Sequence, residues 1–258
     1  MKLTLLFAPS LGELKATARA EVLEKNLTRR LGREVVVEVE HSYDELERRV
    51  LADEVELAWA PPGLCARAEP TARAILKAIR KGRSSYRTAL VGRTDEPLEV
   101  SSLKGKRAAW VDALSTGGYL LPRAHLRLLG HDPDKLFASQ TFFGSYRDAL
   151  LAVLSGGADV ATIYTAGADA ASVSASLVQH VAGEEKRLAP FAYTDEVPND
   201  GLVFTAKLPV AEAEALVTAL LPATGGASMG PMMLLEVCDA QGFQRARPGD
   251  YRLLRGAR

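Results

Sequence analysis

Little in this chain points to metal or redox chemistry. Its 258 residues include only two cysteines, Cys65 and Cys238, which lie far apart in sequence and in no metal or redox spacing, so buried free thiols are expected. Histidines are few as well, and His41, His125, His131 and His180 are scattered without ligand spacing, so neither a metal nor a cofactor is expected. Net charge is missing too: 32 Lys and Arg balance 32 Asp and Glu. That balance leaves no global field for nucleic acid or an anionic membrane surface, and any anion must be held locally. No stretch approaches the roughly 18 to 20 apolar residues that span a bilayer, so membrane insertion is not expected. A Gly-x-Ser-x-Gly elbow, a dinucleotide-binding glycine fingerprint and a Walker loop are all absent. The apolar run after Met1-Lys2 is short, lacks a small-residue cleavage site and passes into the first expected strand. The expected location is therefore cytoplasmic if the chain is complete as it stands, and periplasmic or otherwise extracytoplasmic if a signal has been removed from it.

What is present is an alternation of strand and helix patterns in a chain that is 47% hydrophobic and 25% charged, enough to bury one large core or two of ordinary size. Lys2–Ala8 reads as a strand. The stripe Leu14, Ala18, Val22, Leu27, Leu31 reads as a helix ending at Gly32, and Glu34–Glu40 as a second strand. Ser42-Tyr-Asp-Glu45 matches a capping box and opens a helix to about Ala52, before the strand Val55–Ala60 stops at Pro61-Pro62-Gly63. Ala74–Ile79 and Thr88–Gly92 follow as strands, with Lys81–Tyr86 between them as a loop. The middle of the chain repeats the pattern: strand Arg107–Val111, helix Thr116–Leu129, strand Leu136–Phe142, helix Tyr146–Leu154 and strand Asp159–Tyr164. Ala166–Ala175 is rich in Ala and Ser, as in a loosely specified helix. A turn-rich break is expected over Arg187–Asn199, then a strand Gly201–Ala206 and helical segments near Val210–Leu221 and Gly226–Ala240.

These patterns predict an α/β protein with two lobes, each a mainly parallel sheet flanked by helices. The two breaks around the central block predict a discontinuous first lobe, 1–92 plus 197–258, and a second lobe, 93–196. Hinges are expected near 92–97 and 187–197.

The most informative segment is Arg107-Ala-Ala-Trp-Val-Asp-Ala-Leu-Ser-Thr-Gly-Gly-Tyr119, an apolar strand running into a Ser-Thr-Gly-Gly turn that opens a helix. Backbone N–H groups at a helix start have no intrahelical acceptor and stand at the positive end of the helix dipole. Ser115 and Thr116 add hydroxyl donors, and Gly117 and Gly118 complete the candidate site. An ordinary N-cap is the alternative.

Seven segments, in order, resemble one family. They are Glu56-Leu-Ala-Trp-Ala-Pro-Pro62, Ser85-Tyr-Arg-Thr-Ala-Leu-Val91, Leu103-Lys-Gly-Lys-Arg-Ala-Ala109, Ser115-Thr-Gly-Gly-Tyr-Leu-Leu-Pro122, Gly144-Ser-Tyr-Arg-Asp-Ala-Leu-Leu-Ala-Val153, Gly157-Ala-Asp-Val-Ala161 and Val197-Pro-Asn-Asp-Gly201. Together they are similar to the solute-binding proteins of phosphonate, phosphite and phosphate uptake systems, which have the two-lobed type 2 periplasmic-binding-protein fold. The resemblance implies a small oxyanion held between the lobes at the helix start Ser115, Thr116 and Gly117. It also implies that aromatic hydroxyls from the first lobe, at Tyr43 and Tyr86, close over the anion. It implies hinge closure on the solute, without catalysis, and an ABC permease or a sensor as partner. A His common after the Gly-Ser of such binders is replaced by Tyr146, an acidic residue after the Asp-Val-Ala strand by Tyr164, and a third hydroxyl in the turn by Gly117. These departures argue against an aminoalkylphosphonate and leave a less polar oxyanion, a carboxylate or a sulfonate open. Trp59, at a strand end, is either a wall of the cleft or a core residue. Asn199 and Asp200 either contact ligand or turn the chain, and Arg147 either pairs with an anion or with the surface. The alternative function is a cytosolic enzyme on the same fold acting on a small anionic metabolite, with Asp112, Asp148 or Asp200 as its acid or base.

Overall fold

A computed structural model describes residues 2–7, 13–221 and 232–255. Along the chain the elements are β1 (Leu3–Phe7), α1 (Glu13–Leu31), β2 (Val35–Val39), α2 (Tyr43–Leu51), β3 (Leu57–Ala60), α3 (Pro62–Ala68), β4 (Ala74–Ile79), β5 (Ser85–Arg93) and β6 (Arg107–Trp110). They continue with α4 (Leu121–Leu128), α5 (Pro133–Leu136), β7 (Ser139–Phe142), α6 (Tyr146–Leu154), β8 (Ala161–Thr165), α7 (Ala170–Val181), β9 (Leu188–Tyr193) and β10 (Val197–Pro198). The chain ends with β11 (Gly201–Phe204), α8 (Val210–Leu220), α9 (Met232–Val237) and β12 (Gly242–Arg245). The start of the expected helix Gly226–Ala240, residues 226–231, and the end of the first expected strand at Ala8 lie outside the described residues.

The chain divides into two compact units, residues 1–84 with 198–255, and residues 85–197. The first boundary falls at Ser84/Ser85, not at 92–97. β5 runs straight through Gly92 and keeps pairing to Arg93, opposite Leu188 of β9, so 92–97 belongs to unit 2. Tyr86, expected on the first lobe, is therefore a unit 2 residue.

Unit 1 is built on a six-stranded sheet of order β12-β4-β11-β3-β1-β2. β1 pairs in parallel with β2 and β3, whereas β11 is antiparallel to both β3 and β4, and β12 is antiparallel to β4. The sheet is thus mixed and not mainly parallel. β1 to β4 all run one way, and the two strands supplied by the returning C-terminal segment run the other. Leu3, Leu5 and Phe7 alternate along β1 into a core shared with Leu23 and Leu27 of α1, Leu76, Phe204 and Phe243 of the sheet, and Leu216 of α8. Ser42 caps α2 through its side chain, which accepts from the Glu45 N–H as the capping-box pattern predicts.

Unit 2 is mixed as well: β5 is antiparallel to β8 and β9, while β6 and β7 are parallel and Ala108 of β6 bridges Val160 in parallel. Alternation on β5 sends Ala89 and Val91 into a core with α6 and α7, and Leu90 into a second core with Trp110, Leu126 and Phe137. β9 occupies part of what the sequence marks as a turn-rich break. Pro190 can sit in this strand because, among the described residues, β9 pairs only with β5 and because the register shifts beside it, between Leu90 and Val91. Leu136 ends α5 instead of starting a strand, and β7 begins only at Ser139.

Candidate functional site

The parallel strands of unit 2 place their carboxyl ends together. The link after β6 carries the Ser-Thr-Gly-Gly turn. The link after β7 is pinned to the end of β6, where Phe143 N–H donates to the Trp110 carbonyl and Gly144 N–H to the Val111 carbonyl. Tyr146 opens α6 directly beyond that link, capped by Ser145, and Tyr164 stands near the end of β8. β5 runs the opposite way, so its first residues reach the same edge, with Thr88 opposite Tyr164. Loops at the carboxyl ends of parallel strands are where open α/β sheets place ligands.

The turn itself departs from the expected α-helix. Thr116–Leu120 forms a π turn, in which Leu120 N–H donates to the Ser115 carbonyl at 3.0 Å, and only then does α4 begin. Such wide turns are rare and concentrate at functional sites. Two glycines permit it. A Cβ at Gly118 would stand 2.5 Å from the Val111 side chain, and one at Gly117 would stand 2.7 Å from the Tyr146 hydroxyl. Two buried hydroxyls lock the turn's carbonyls: Thr88 donates to Gly117 O at 2.9 Å and Thr162 donates to Gly118 O at 3.3 Å. Gly118 N–H is occupied by the Ser115 hydroxyl oxygen at 3.1 Å. The N–H groups of Thr116 and Gly117, at the first positions of the turn, have no intrahelical acceptor.

Thr116 is the decisive residue. Its side chain is buried, 6% exposed, and its Oγ1 has no hydrogen-bond partner among the described residues. A buried hydroxyl without a partner costs about 1–3 kcal/mol, so native proteins rarely keep one without a use.

Around the turn lies an aromatic group. The Tyr146 ring meets Tyr164 edge-on at 5.4 Å between centroids and is tilted on His180 at 5.5 Å. The Tyr164 hydroxyl donates to Gln179 at 2.6 Å. Burial pushes the His180 imidazole below its ordinary pKa, and its Nε2 is a second buried atom without a hydrogen-bond partner among the described residues. Arg147 points its guanidinium at the His180 carbonyl, 2.9 Å away. Thr88, Thr162 and His180 escape the sequence reading because only strand register and helix packing bring them here.

The unit 1 candidates serve their own frame. Asn199 is buried and donates through its amide to the carbonyls of Ala78 and Arg83, both at 3.0 Å, while its own carbonyl accepts from Tyr251. Asp200 is ion-paired with Arg80, which also donates to the Asp239 and Cys238 carbonyls and lies 6.0 Å above the Trp59 ring. Trp59 in turn packs edge-on against Phe243 on the unit 1 core. Tyr43 is the first residue of α2 and is half-buried. Of the carboxylates considered as an acid or base, Asp112 accepts from Leu114 N–H and Asp148 from the Ser145 hydroxyl.

Among the described residues no group of three His, Cys, Asp or Glu side chains is arranged to hold a metal, and no helix is long and apolar enough to cross a membrane. The architecture is that of a two-unit α/β binding protein of the periplasmic type. It is similar to a Xanthomonas citri protein bound to ATP (21% identity, TM-score 0.75, 98% of this chain and 94% of that one). PhnD1 from Prochlorococcus marinus, in complex with methylphosphonate, is similar at 19% identity and TM-score 0.67, over 97% of this chain and 94% of that one. A binding-protein component of a phosphonate ABC transporter from Pseudomonas aeruginosa is similar at 19% identity and TM-score 0.66, over 97% of this chain and 83% of that one. No curated protein matches in sequence. The family model for the periplasmic substrate-binding proteins of phosphonate ABC transporters matches residues 5–251, and the chain belongs to that family. Its class of function is solute binding for ABC-type uptake.

Proposed function

We propose that the turn Ser115–Gly118 of unit 2 binds a phosphonate- or phosphate-like oxyanion, received by the N–H groups of Thr116 and Gly117 and by the hydroxyls of Ser115, Thr116 and Tyr146. The single observation that carries this reading is the buried, unpartnered Thr116 hydroxyl at the start of a helix. An anionic acceptor satisfies it, and hydrogen bonds to a charged partner are about twice as strong as neutral ones. Thr88 and Thr162 act on the turn and not on the ligand, because their hydroxyls already donate to its carbonyls. Ligands carrying phosphorus oxyanions in two structural neighbours, ATP and methylphosphonate, support the ligand class. In the cell the protein works outside the cytoplasm and hands its solute to a permease, a reading that membership of the family supports. Binding without turnover is favoured because Asp112, Asp148 and Asp200 are each engaged in hydrogen bonds or an ion pair that build the local frame.

Calorimetric titration with methylphosphonate and inorganic phosphate tests the reading, with Thr116→Ala as control. Saturable binding that the substitution weakens about tenfold or more supports it, since that is the scale of one lost bond to a charged group. Binding that is indifferent to Thr116→Ala overturns it.

A further inference from the structure

Gly117 stands against three side chains at once. A Cβ built on it would lie 2.7 Å from the Tyr146 hydroxyl, 3.2 Å from Cε2 of Tyr86 and 3.3 Å from the Thr88 hydroxyl. The first distance is shorter than any tolerable contact, and the Tyr146 ring has little room to retreat. It is half-buried, packed on Tyr164 and His180, and contributes to a core that includes Ala149 and Leu150 of its own helix. The phenol oxygen thus occupies the volume in which any side chain at 117 would begin. That volume lies on the turn whose first N–H groups have no intrahelical acceptor and whose Thr116 hydroxyl is buried without a hydrogen-bond partner among the described residues.

We infer that positions 117 and 146 exclude one another and form a single specificity-determining pair, in which the Tyr146 hydroxyl supplies to the anion the donor that a hydroxyl-bearing residue at 117 would otherwise supply. This rests on the anion-site reading of the turn. The pair sets the chemistry of the head-group pocket, because a phenol is an uncharged donor on a rigid ring. It hydrogen-bonds an oxyanion without adding a formal charge. Gly117 is glycine because of Tyr146, and Tyr146 is effective because position 117 is empty.

The test is a double-mutant cycle in the full chain with Gly117→Ser, Tyr146→Phe and the double variant, titrated with methylphosphonate and inorganic phosphate. Thermal midpoints of the ligand-free proteins are read alongside. Tyr146→Phe is expected to weaken binding about tenfold, one bond to a charged group, with little change in midpoint. Gly117→Ser alone is expected to lower both affinity and midpoint, because the new Cβ meets the phenol oxygen. In the Tyr146→Phe background the same serine is expected to raise affinity, since the 2.7 Å approach to the phenol oxygen is gone and the serine hydroxyl takes over as donor. This reversal of sign is what the pair predicts and what independent sites cannot produce. Serine equally harmful in both backgrounds, or Tyr146→Phe binding as well as the wild type, overturns the inference. Absence of binding by the wild type, or binding unaffected by Thr116→Ala, defeats the anion-site reading instead. The exclusion is then decided by midpoints alone: a midpoint lowered by Gly117→Ser and restored by Tyr146→Phe upholds it, and additive midpoints refute it.

Discussion

The Thr88 hydroxyl donates to the Gly117 carbonyl at 2.9 Å, tying the start of β5 to the turn after β6. Thr88 is fully buried, and its N–H is itself held by the Thr194 hydroxyl at 2.9 Å. Thr88→Val keeps the volume and removes the donor, leaving a buried carbonyl short of a partner at a cost of about 1–3 kcal/mol. The thermal midpoint is expected to fall by several degrees. Affinity for methylphosphonate should fall with it, because the turn loses one of its two side-chain anchors. An unchanged midpoint in a scanning-calorimetry experiment would show that the bond contributes nothing.

A second expectation concerns the ligand's substituent. The rings packed on Tyr146 include the Tyr164 phenol and the His180 imidazole, whose charged form burial disfavours. Neither offers an anion to an ammonium group. Taking that group out of water without a partner is unfavourable, so 2-aminoethylphosphonate is expected to bind about tenfold or more weakly than methylphosphonate, a difference of about 1.4 kcal/mol. Competition of the two in one titration decides it, and equal affinity would place an acidic partner near the substituent.

Acid stability has a specific expected source. Asp159 accepts from Arg107 three times, at 2.8 Å from its N–H and at 3.1 and 2.7 Å from its guanidinium, and these bonds hold the carboxyl below its ordinary pKa. A carboxylate whose pKa is depressed by folding stabilises the native state above its unfolded pKa, about 3.9, and loses that contribution as pH falls through the lower folded value. Asp159→Asn is therefore expected to lower stability at neutral pH, with the gap to wild type closing below about pH 4. Urea unfolding at pH 7 and pH 3 measures both ends. A gap that is the same at both pH values would assign the effect to packing.

Local chemistry made much of this architecture readable. Ser42-x-x-Glu45 marks the start of α2 and Ser145-x-x-Asp148 the start of α6, because a cap is a bond between near neighbours in sequence. The β6-to-turn segment was likewise legible, since a short apolar strand and a Ser-Thr-Gly-Gly turn need no distant partner to be recognised. Features decided by register were not. β9 is a strand because it lies against β5, and nothing local distinguishes its Pro-containing run from a loop. The antiparallel sense of β11 follows from the chain's return between β3 and β4, which has no sequence signature. Thr88 and Thr162 read as ordinary strand residues until pairing brings their hydroxyls to the turn's carbonyls. The π turn is equally invisible, because it depends on Val111 and Tyr146 filling the space beside Gly118 and Gly117.

The sharpest prediction concerns Thr116, because stability and binding should move in opposite directions there. A structural threonine stabilises through its hydroxyl bonds, and removing the hydroxyl lowers the midpoint. The Thr116 hydroxyl makes no such bond, although the residue is only 6% exposed. Thr116→Val replaces a desolvated, unpartnered hydroxyl with a methyl of similar size, so the ligand-free protein is expected to gain about 1 kcal/mol. The ligand, in contrast, loses its buried donor. Wild-type protein at a hundredfold excess of ligand over its dissociation constant gains about 2.7 kcal/mol, and the variant should gain far less at the same concentration. Thermal midpoints with and without methylphosphonate give both quantities in one experiment. A higher midpoint without ligand and a smaller ligand-induced rise would identify the hydroxyl as held in reserve for an acceptor from outside the chain. A lower midpoint with an undiminished rise would make Thr116 an ordinary cap residue and move the anion elsewhere.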